Sequence, residues 1–260
     1  MSNLDIRHEG PISHVWLNRP TLRNAFDAAT IAELTHTFTE LATRPGLRVV
    51  VLGAHGKAFC AGADLNWMRA MADYSWEENH QDAGRLAEML WTIYRCPIPV
   101  IARVQGDVYA GGVGLVACAD IVVSTANAGF CLSEAKLGLL PATIGPYVVK
   151  AMGERQARRW FTTAERFDAA TAQRLGLVHE IVADTEALDA KVDELSLALC
   201  ANGPHAVQAC KRLVLDLADH PTVTEPLRDD TARRIADIRA SSEGRAGVQS
   251  FLNKLPAPWL

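Results

Sequence analysis

Three short segments hold the residues whose types and spacing could do chemistry. Residues 56–65 read Gly-Lys-Ala-Phe-Cys-Ala-Gly-Ala-Asp-Leu, residues 106–114 Gly-Asp-Val-Tyr-Ala-Gly-Gly-Val-Gly, and residues 133–141 Ser-Glu-Ala-Lys-Leu-Gly-Leu-Leu-Pro. The first two set small residues where backbone must approach a ligand. The third supplies one carboxylate, Glu134. Gly111 and Gly112 precede an expected helix, whose N-terminus offers free N–H donors and roughly +0.5 of a charge. Two backbone N–H groups and one acid–base group are the minimum needed to polarise a thioester and move a proton at its α-carbon. An isolated Gly-Gly reads as a tight turn with close helix packing, and most glutamates are solvated. The apolar residues on both sides of Glu134, Phe130-Cys131-Leu132 before and Leu137 to Pro141 after, argue instead for a partly buried carboxylate with a raised pKa.

Regular elements must hold these segments. His14 to Leu17 is a short strand signal, ended by the turn-forming Asn18-Arg19-Pro20. Asp27 is placed to cap a helix with apolar residues at Ile31, Leu34, Phe38 and Leu41, and Pro45-Gly46 stops it. Val49 to Leu52 is a continuous aliphatic run, as in a buried strand, and leads straight into the loop from Gly56. A second cycle follows: a helix through Leu86, Leu90 and Ile93, a strand over Val100–Val104, the glycine loop, an apolar helix, and a strand from Ile121. Beyond about residue 183 strand signals vanish, and residues 184–201, 204–219 and 223–254 are expected to be helical.

Read in order, and together with Leu17-Asn18-Arg19-Pro20, Asn24-Ala25 and the tail Phe251-Leu252 and Lys254, these segments resemble the crotonase (enoyl-CoA hydratase/isomerase) superfamily over almost the whole chain. The resemblance implies an α/β fold. A stacked ββα spiral core over residues 1–190 would carry an acyl-CoA site, and a C-terminal helical region over 191–260 would form homotrimers or hexamers. It implies that the N–H groups of Ala63 and Gly111 form an oxyanion hole and that Glu134 is the acid–base group. Arg23, Ala25, Ala61, Asp64 and Leu65 would follow the coenzyme A path, with Lys57 and Lys254 at its phosphates. Gly112 and Gly114 would border the substrate, and Tyr109, Pro141 and Tyr147 would shape the acyl pocket. Coenzyme A belongs to the substrate, so no separate cofactor is implied.

Gly114 departs from the pattern. Two-glutamate hydratases of this superfamily carry a second glutamate three residues after the oxyanion-hole glycine, and here that residue is Gly114. The chain must then work with a single carboxylate, an arrangement of the family's isomerases and of hydratases for specialised acyl groups. Residues 112–117, 130–139, 141–147 and 163–167 resemble bacterial hydratases of the methylglutaconyl-CoA and carboxygeranoyl-CoA type, which favours hydration of a branched or carboxylated enoyl group. Double-bond migration is the alternative. An inactive CoA-ester-binding or RNA-associated relative is a further one, disfavoured by Glu134 in its apolar loop.

Composition narrows the classes. The chain has 260 residues, 49% of them hydrophobic, and a net charge of −4, which argues against a broad nucleic-acid-binding face. No run approaches the ~18–20 apolar residues of a membrane helix. The polar, acidic start disfavours a signal or transit peptide, so a soluble cytoplasmic protein is expected. Six scattered cysteines with no C-x-x-C pair read as reduced thiols, and the eight histidines show no zinc-ligand spacing. The glycine loop lacks G-x-G-x-x-G and a P-loop lysine, Asp120 suits a structural cap, and Ser133 has no nearby histidine to activate it.

Overall fold

The computed structural model describes residues 2–260. The chain divides into two compact units, one ending at Glu194 and the other comprising Leu195–Leu260. The division falls inside a helix rather than at residue 190.

The first unit is built on a six-stranded sheet. Strands β1 (Leu4–Glu9) and β2 (Ile12–Leu17) form an antiparallel hairpin across Gly10, whose φ of 57 suits its lack of a side chain. From β2 onward the pairings are parallel, through β3 (Val49–Ala54), β4 (Val100–Val104), β6 (Ile121–Thr125) and β9 (Glu180–Val182). The register runs Val15 to Leu52, Leu52 to Ala102, and Ala102 to Val122. In β2 alternate residues Ser13, Val15 and Leu17 are buried, whereas β3 and β4 are buried throughout, as central parallel strands should be. Removing each of their large aliphatic side chains from water contributes about 1.5–3 kcal/mol.

Helix α1 (Ala28–Ala42) starts where Asp27 accepts from the Thr30 N–H, and it buries Ile31, Leu34, Phe38 and Leu41. Helices α2 (Leu65–Met71) and α3 (Trp76–Arg95) follow β3, and α3 opens with a capping box between Ser75 and Glu78. The apolar helix after the glycine loop is α4 (Gly111–Cys118), followed later by α5 (Gly145–Met152), α6 (Glu154–Thr163) and α7 (Ala169–Arg174). A second sheet is small: β5 (Val108–Tyr109) pairs in parallel with β7 (Gly129–Cys131), which pairs antiparallel with β8 (Arg166–Asp168).

Helix α8 (Thr185–Cys200) spans the division between the units. The second unit holds α9 (Pro204–Leu217), α10 (Glu225–Ala240) and α11 (Ser242–Leu252). The single helix expected over 223–254 is two. Ser241 leaves the helical conformation with ψ 159, and its hydroxyl accepts from the Gly244 N–H, so a serine cap restarts the chain. Between α9 and α10 lies an apolar groove of about 350 Å³ lined by Leu213, Ile235 and Ile238. Val214, Val248, Phe251 and Leu252 are exposed on the single chain. Among the described residues no helix is long and apolar enough to cross a membrane, and no cluster of His, Cys, Asp and Glu could hold a metal ion.

Candidate active site

The small sheet is the mount that brings the three segments together. Val108 pairs with Phe130 and Tyr109 with Cys131, and the Ala110 N–H donates to the Cys131 carbonyl at 2.8 Å. Gly111 therefore begins α4 directly beyond the end of β5, and Glu134 stands three residues beyond the end of β7 at the same edge. The first segment, residues 56–65, joins through a bridge between Cys60 and Val108. The Tyr109 N–H donates to Cys60 O at 2.9 Å and the Cys60 N–H to Asp107 O at 3.2 Å.

Ala63 is presented by a second bridge, to Phe26. The Phe26 N–H donates to Gly62 O at 2.9 Å, and the Asp64 N–H donates to Phe26 O at 3.0 Å. In a parallel pairing of this kind the intervening residue turns its own N–H the other way. Among the described residues the N–H groups of Ala63 and Gly111 have no hydrogen-bond partner. Gly62 reaches this geometry with φ 88. The glycines of α4 also have a packing reason. A Cβ on Gly111 would strike the Phe26 ring, and one on Gly112 would lie 2.8 Å from Cys60 Cβ. Close helix packing and a free N–H thus coexist at one position.

Glu134 opens a 3-10 turn, Glu134–Leu137, closed by Gly138 in the left-handed conformation. Its Oε2 is buried and has no hydrogen-bond partner. Burial pushes the carboxyl above its ordinary pKa, and its own backbone N–H opposes that only in part. The burial comes from one flank. Phe130, Cys131 and Leu132 are in the core, but Leu137, Leu139 and Leu140 are 60%, 54% and 74% exposed, and of the following residues Pro141 is buried. The leucines form an exposed apolar lip rather than the wall expected from their composition.

Arg23, Lys57, Ala61 and Tyr109 line one cavity of about 600 Å³, together with Pro20, Thr21, Gly56, Ala58 and Asp107. The side chains of Arg23 and Lys57 have no ion pair among the described residues. Asp107 is already neutralised, since it accepts from Arg166 at 2.7 Å and from the Gly129 N–H at 3.0 Å. The cavity is left with two free cations and no free anion.

Other expected residues sit elsewhere. Asp64 is buried with its carboxylate engaged: Oδ1 caps α2 through the Asn66 and Trp67 N–H groups, and Oδ2 accepts from Arg19 at 3.1 Å. Its side chain serves the loop and does not line the cavity. Ala25 is buried, whereas Leu65 is 70% exposed. Tyr147 belongs to the core, edge-on to Tyr94 with ring centroids 5.1 Å apart. Lys254 lies in the second unit just past α11 with φ 55. Gly114, expected to border the substrate, faces packed side chains instead: a Cβ there would collide with Ile144 and come within 3.4 Å of Leu90. Ile144 and Leu90 are both buried, so Gly114 is a packing glycine.

Three further buried or bridging polar residues could not be assigned from the sequence, two beside the cavity and one, Asp82, elsewhere in the first unit. Asn24, 2% exposed and with φ 55, donates to His55 O and Ala58 O and accepts from the Arg19 N–H, tying the cavity's two loops together. Arg19 bridges Asp27 and Asp64 at 3.1 Å each and so joins the caps of α1 and α2. Asp82 is a buried carboxylate on α3, pushed up in pKa by burial, with Arg85 at 3.4 Å. Asn24 and Arg19 stand within the motif that carries the resemblance; Asp82 gave no signal.

The model of the enoyl-CoA hydratase/isomerase family matches residues 7–260. A crystal structure of an enoyl-CoA hydratase from Shewanella pealeana is 40% identical, with a TM-score of 0.95 over 99% of this chain and 96% of that one. The enoyl-CoA hydratase ACTT6 of Alternaria alternata is 33% identical over 91% of this chain and 77% of its own length. A carnitinyl-CoA dehydratase of Citrobacter koseri is 31% identical over 99% and 98%. A family match over almost the whole chain and a fold shared with a solved relative from end to end lead to one conclusion: the chain belongs to the enoyl-CoA hydratase/isomerase family, within the crotonase superfamily.

Proposed function

We propose that this protein hydrates the 2,3 double bond of an enoyl-CoA thioester, with Glu134 as its only acid–base group. The observations that carry the reading are a half-buried Glu134 whose Oε2 lacks a hydrogen-bond partner, three residues beyond the strand that pairs with β5, and the free N–H groups of Ala63 and of Gly111, the latter just beyond β5. In this reading the two N–H groups hold the thioester oxygen as negative charge develops on it. Glu134, ionised, takes one proton from a water whose oxygen bonds to the β-carbon, and delivers that proton to the α-carbon. The π bond is consumed, one O–H bond breaks, one C–O and one C–H bond form, and Glu134 returns to its starting state. No metal or separate cofactor enters the step.

Coenzyme A is assigned to the 600 Å³ cavity, where the unpaired cations of Arg23 and Lys57 suit its phosphates. A branched or carboxylated acyl group remains the favoured substrate, supported by the subfamily resemblance; the exposed Leu137, Leu139 and Leu140 near Glu134 in the chain suit the apolar part of a branched group. The test is a panel of straight, branched, carboxylated and aromatic enoyl-CoA thioesters, followed by loss of enoyl absorbance and product mass. The expected result is gain of one water, fastest with a branched substrate such as 3-methylglutaconyl-CoA. Double-bond migration with no gain of water on any substrate would transfer the assignment to an isomerase.

Assembly into trimers or paired trimers is proposed on the apolar residues that the second unit leaves exposed, Val214, Val248, Phe251 and Leu252 among them. Light scattering is expected to give a trimer mass or a multiple of it. A monodisperse monomer at micromolar concentration would contradict this assembly.

A further inference from the structure

Ala110 sits in a backbone conformation that L-residues avoid. Its φ is 47 and its ψ −121, the place of the first central residue of a type II′ turn, where glycine is the usual occupant. It differs from Arg23 and Ala164, whose positive φ is matched by ψ of 35 and 28 in the ordinary left-handed well. A conformation of this kind persists only where surrounding contacts over-determine it. Here they do. The Ala110 N–H donates to Cys131 O at 2.8 Å, and its carbonyl accepts from the Val113 N–H at 2.8 Å.

The second of these bonds has a geometric consequence for Gly111. In a planar trans peptide the C=O and the N–H point in opposite directions. Turning the Ala110 carbonyl into α4 to receive Val113 therefore turns the Gly111 N–H out, away from the helix. The methyl group faces the other loop and restricts it: a Cβ added to Gly62, the residue before Ala63, would come within 3.1 Å of the methyl. The Gly62 N–H also donates to the Cys60 thiol at 3.5 Å.

We infer that Ala110 is the positioning residue of the N–H pair: its strained backbone aims the Gly111 N–H, and its methyl sets the spacing to the Ala63 loop. The inference rests on the reading of Ala63 and Gly111 as the thioester-oxygen site. It assigns to one alanine a role that neither the acid–base group nor the two donors perform themselves.

The test compares wild type with Ala110→Gly and Ala110→Val, using melting temperature, kcat and KM on the best enoyl-CoA, and the infrared carbonyl band of a bound thioester labelled at the carbonyl carbon. Ala110→Gly relieves the strain and loses the methyl spacer. It is expected to melt about 2–4 °C higher. Its kcat should fall roughly 3–10-fold with little change in affinity for a saturated acyl-CoA, since only part of a donor's ~10²–10³-fold effect is lost by misaiming it. The carbonyl band should move back toward that of free thioester. Ala110→Val, which cannot adopt the native conformation, should lose more. If it does not fold, Ala110→Gly alone decides. Unchanged kcat and an unchanged band in Ala110→Gly, with the wild-type band clearly displaced from that of free thioester, would overturn the role of Ala110 and leave the oxyanion site standing. A wild-type band identical to free thioester would overturn the oxyanion site itself.

Discussion

Glu134→Gln is expected to lower turnover by about 10²–10⁴-fold while making the protein more stable at neutral pH. The substitution keeps shape and hydrogen-bonding capacity but removes the only group able to shuttle a proton in the proposed step. Binding of an unreactive acyl-CoA should change little, because the N–H pair and the cationic cavity are untouched. The stability effect follows from the direction of the pKa shift. Burial raises the carboxyl's pKa in the folded protein above its value in the unfolded chain. The folded state therefore holds the proton more tightly, and its advantage is complete below the unfolded pKa. That advantage is lost as pH rises through the raised pKa and a partly buried carboxylate, with no hydrogen-bond partner at Oε2, must ionise. Glutamine carries no such penalty. Melting curves of wild type should thus converge with those of Glu134→Gln at low pH and separate above it, the variant melting higher. The same shift places the acid limb of wild-type kcat/KM above the ordinary carboxylate range. Near-normal turnover in the variant would remove Glu134 from the mechanism, and a lower melting temperature at neutral pH would contradict the account of its burial.

The second large effect is expected at Gly114. A Cβ at this position already collides with Ile144 and reaches Leu90 at 3.4 Å, and both neighbours are buried. Overpacking of this sort costs about 1–3 kcal/mol, and a carboxylate driven into the same dry space adds the cost of an unpaired buried polar group. Gly114→Glu should therefore melt lower by on the order of 10 °C or accumulate insolubly, with no gain in hydration of crotonyl-CoA. Gly114→Ala should show the same effect at smaller size. A second carboxylate is thus excluded here by packing as well as by residue type: Ile144, the residue before α5, occupies the volume it would need. A soluble Gly114→Glu with an unchanged melting temperature and faster crotonyl-CoA hydration would show that Ile144 yields readily.

Much of the scaffold was legible because the features that set it are local. Val49–Leu52 and Val100–Val104 read as buried strands from continuous aliphatic runs, Asp27 as a cap, and the last strand ends at Val182, close to where strand signals fade. The strands that escaped reading, β1, β5, β7, β8 and β9, are short or partly exposed, and all but β1, which pairs with β2 across the Gly10 turn, take their definition from partners distant in sequence. The Ser241 break escaped because its polar cap sits inside an otherwise helical stretch. At the site, Glu134 and the small-residue loops stood out by type and order. What each small residue faces did not. Gly114 meets a residue thirty positions away, Asp64 spends its carboxylate on Arg19 and on its own helix, and Leu137 to Leu140 turn outward where composition suggested a wall. These are outcomes of long-range packing, on which a local pattern is silent. Asn24 and Ala110 make the same point through the backbone, since a positive φ on a residue with a side chain is imposed by tertiary contacts.

The central claim, that one carboxylate serves both the water and the α-carbon, is most directly tested by isotope labelling in deuterated water. The hydrated product is incubated with wild type or Glu134→Gln, and deuterium entry at the α-carbon is followed alongside loss and regain of water. With a single shared carboxylate, both rates fall together in the variant, by the same factor within error. Loss of water exchange while α-deuteration continues, or the reverse, would require a second acid–base group and would contradict the account.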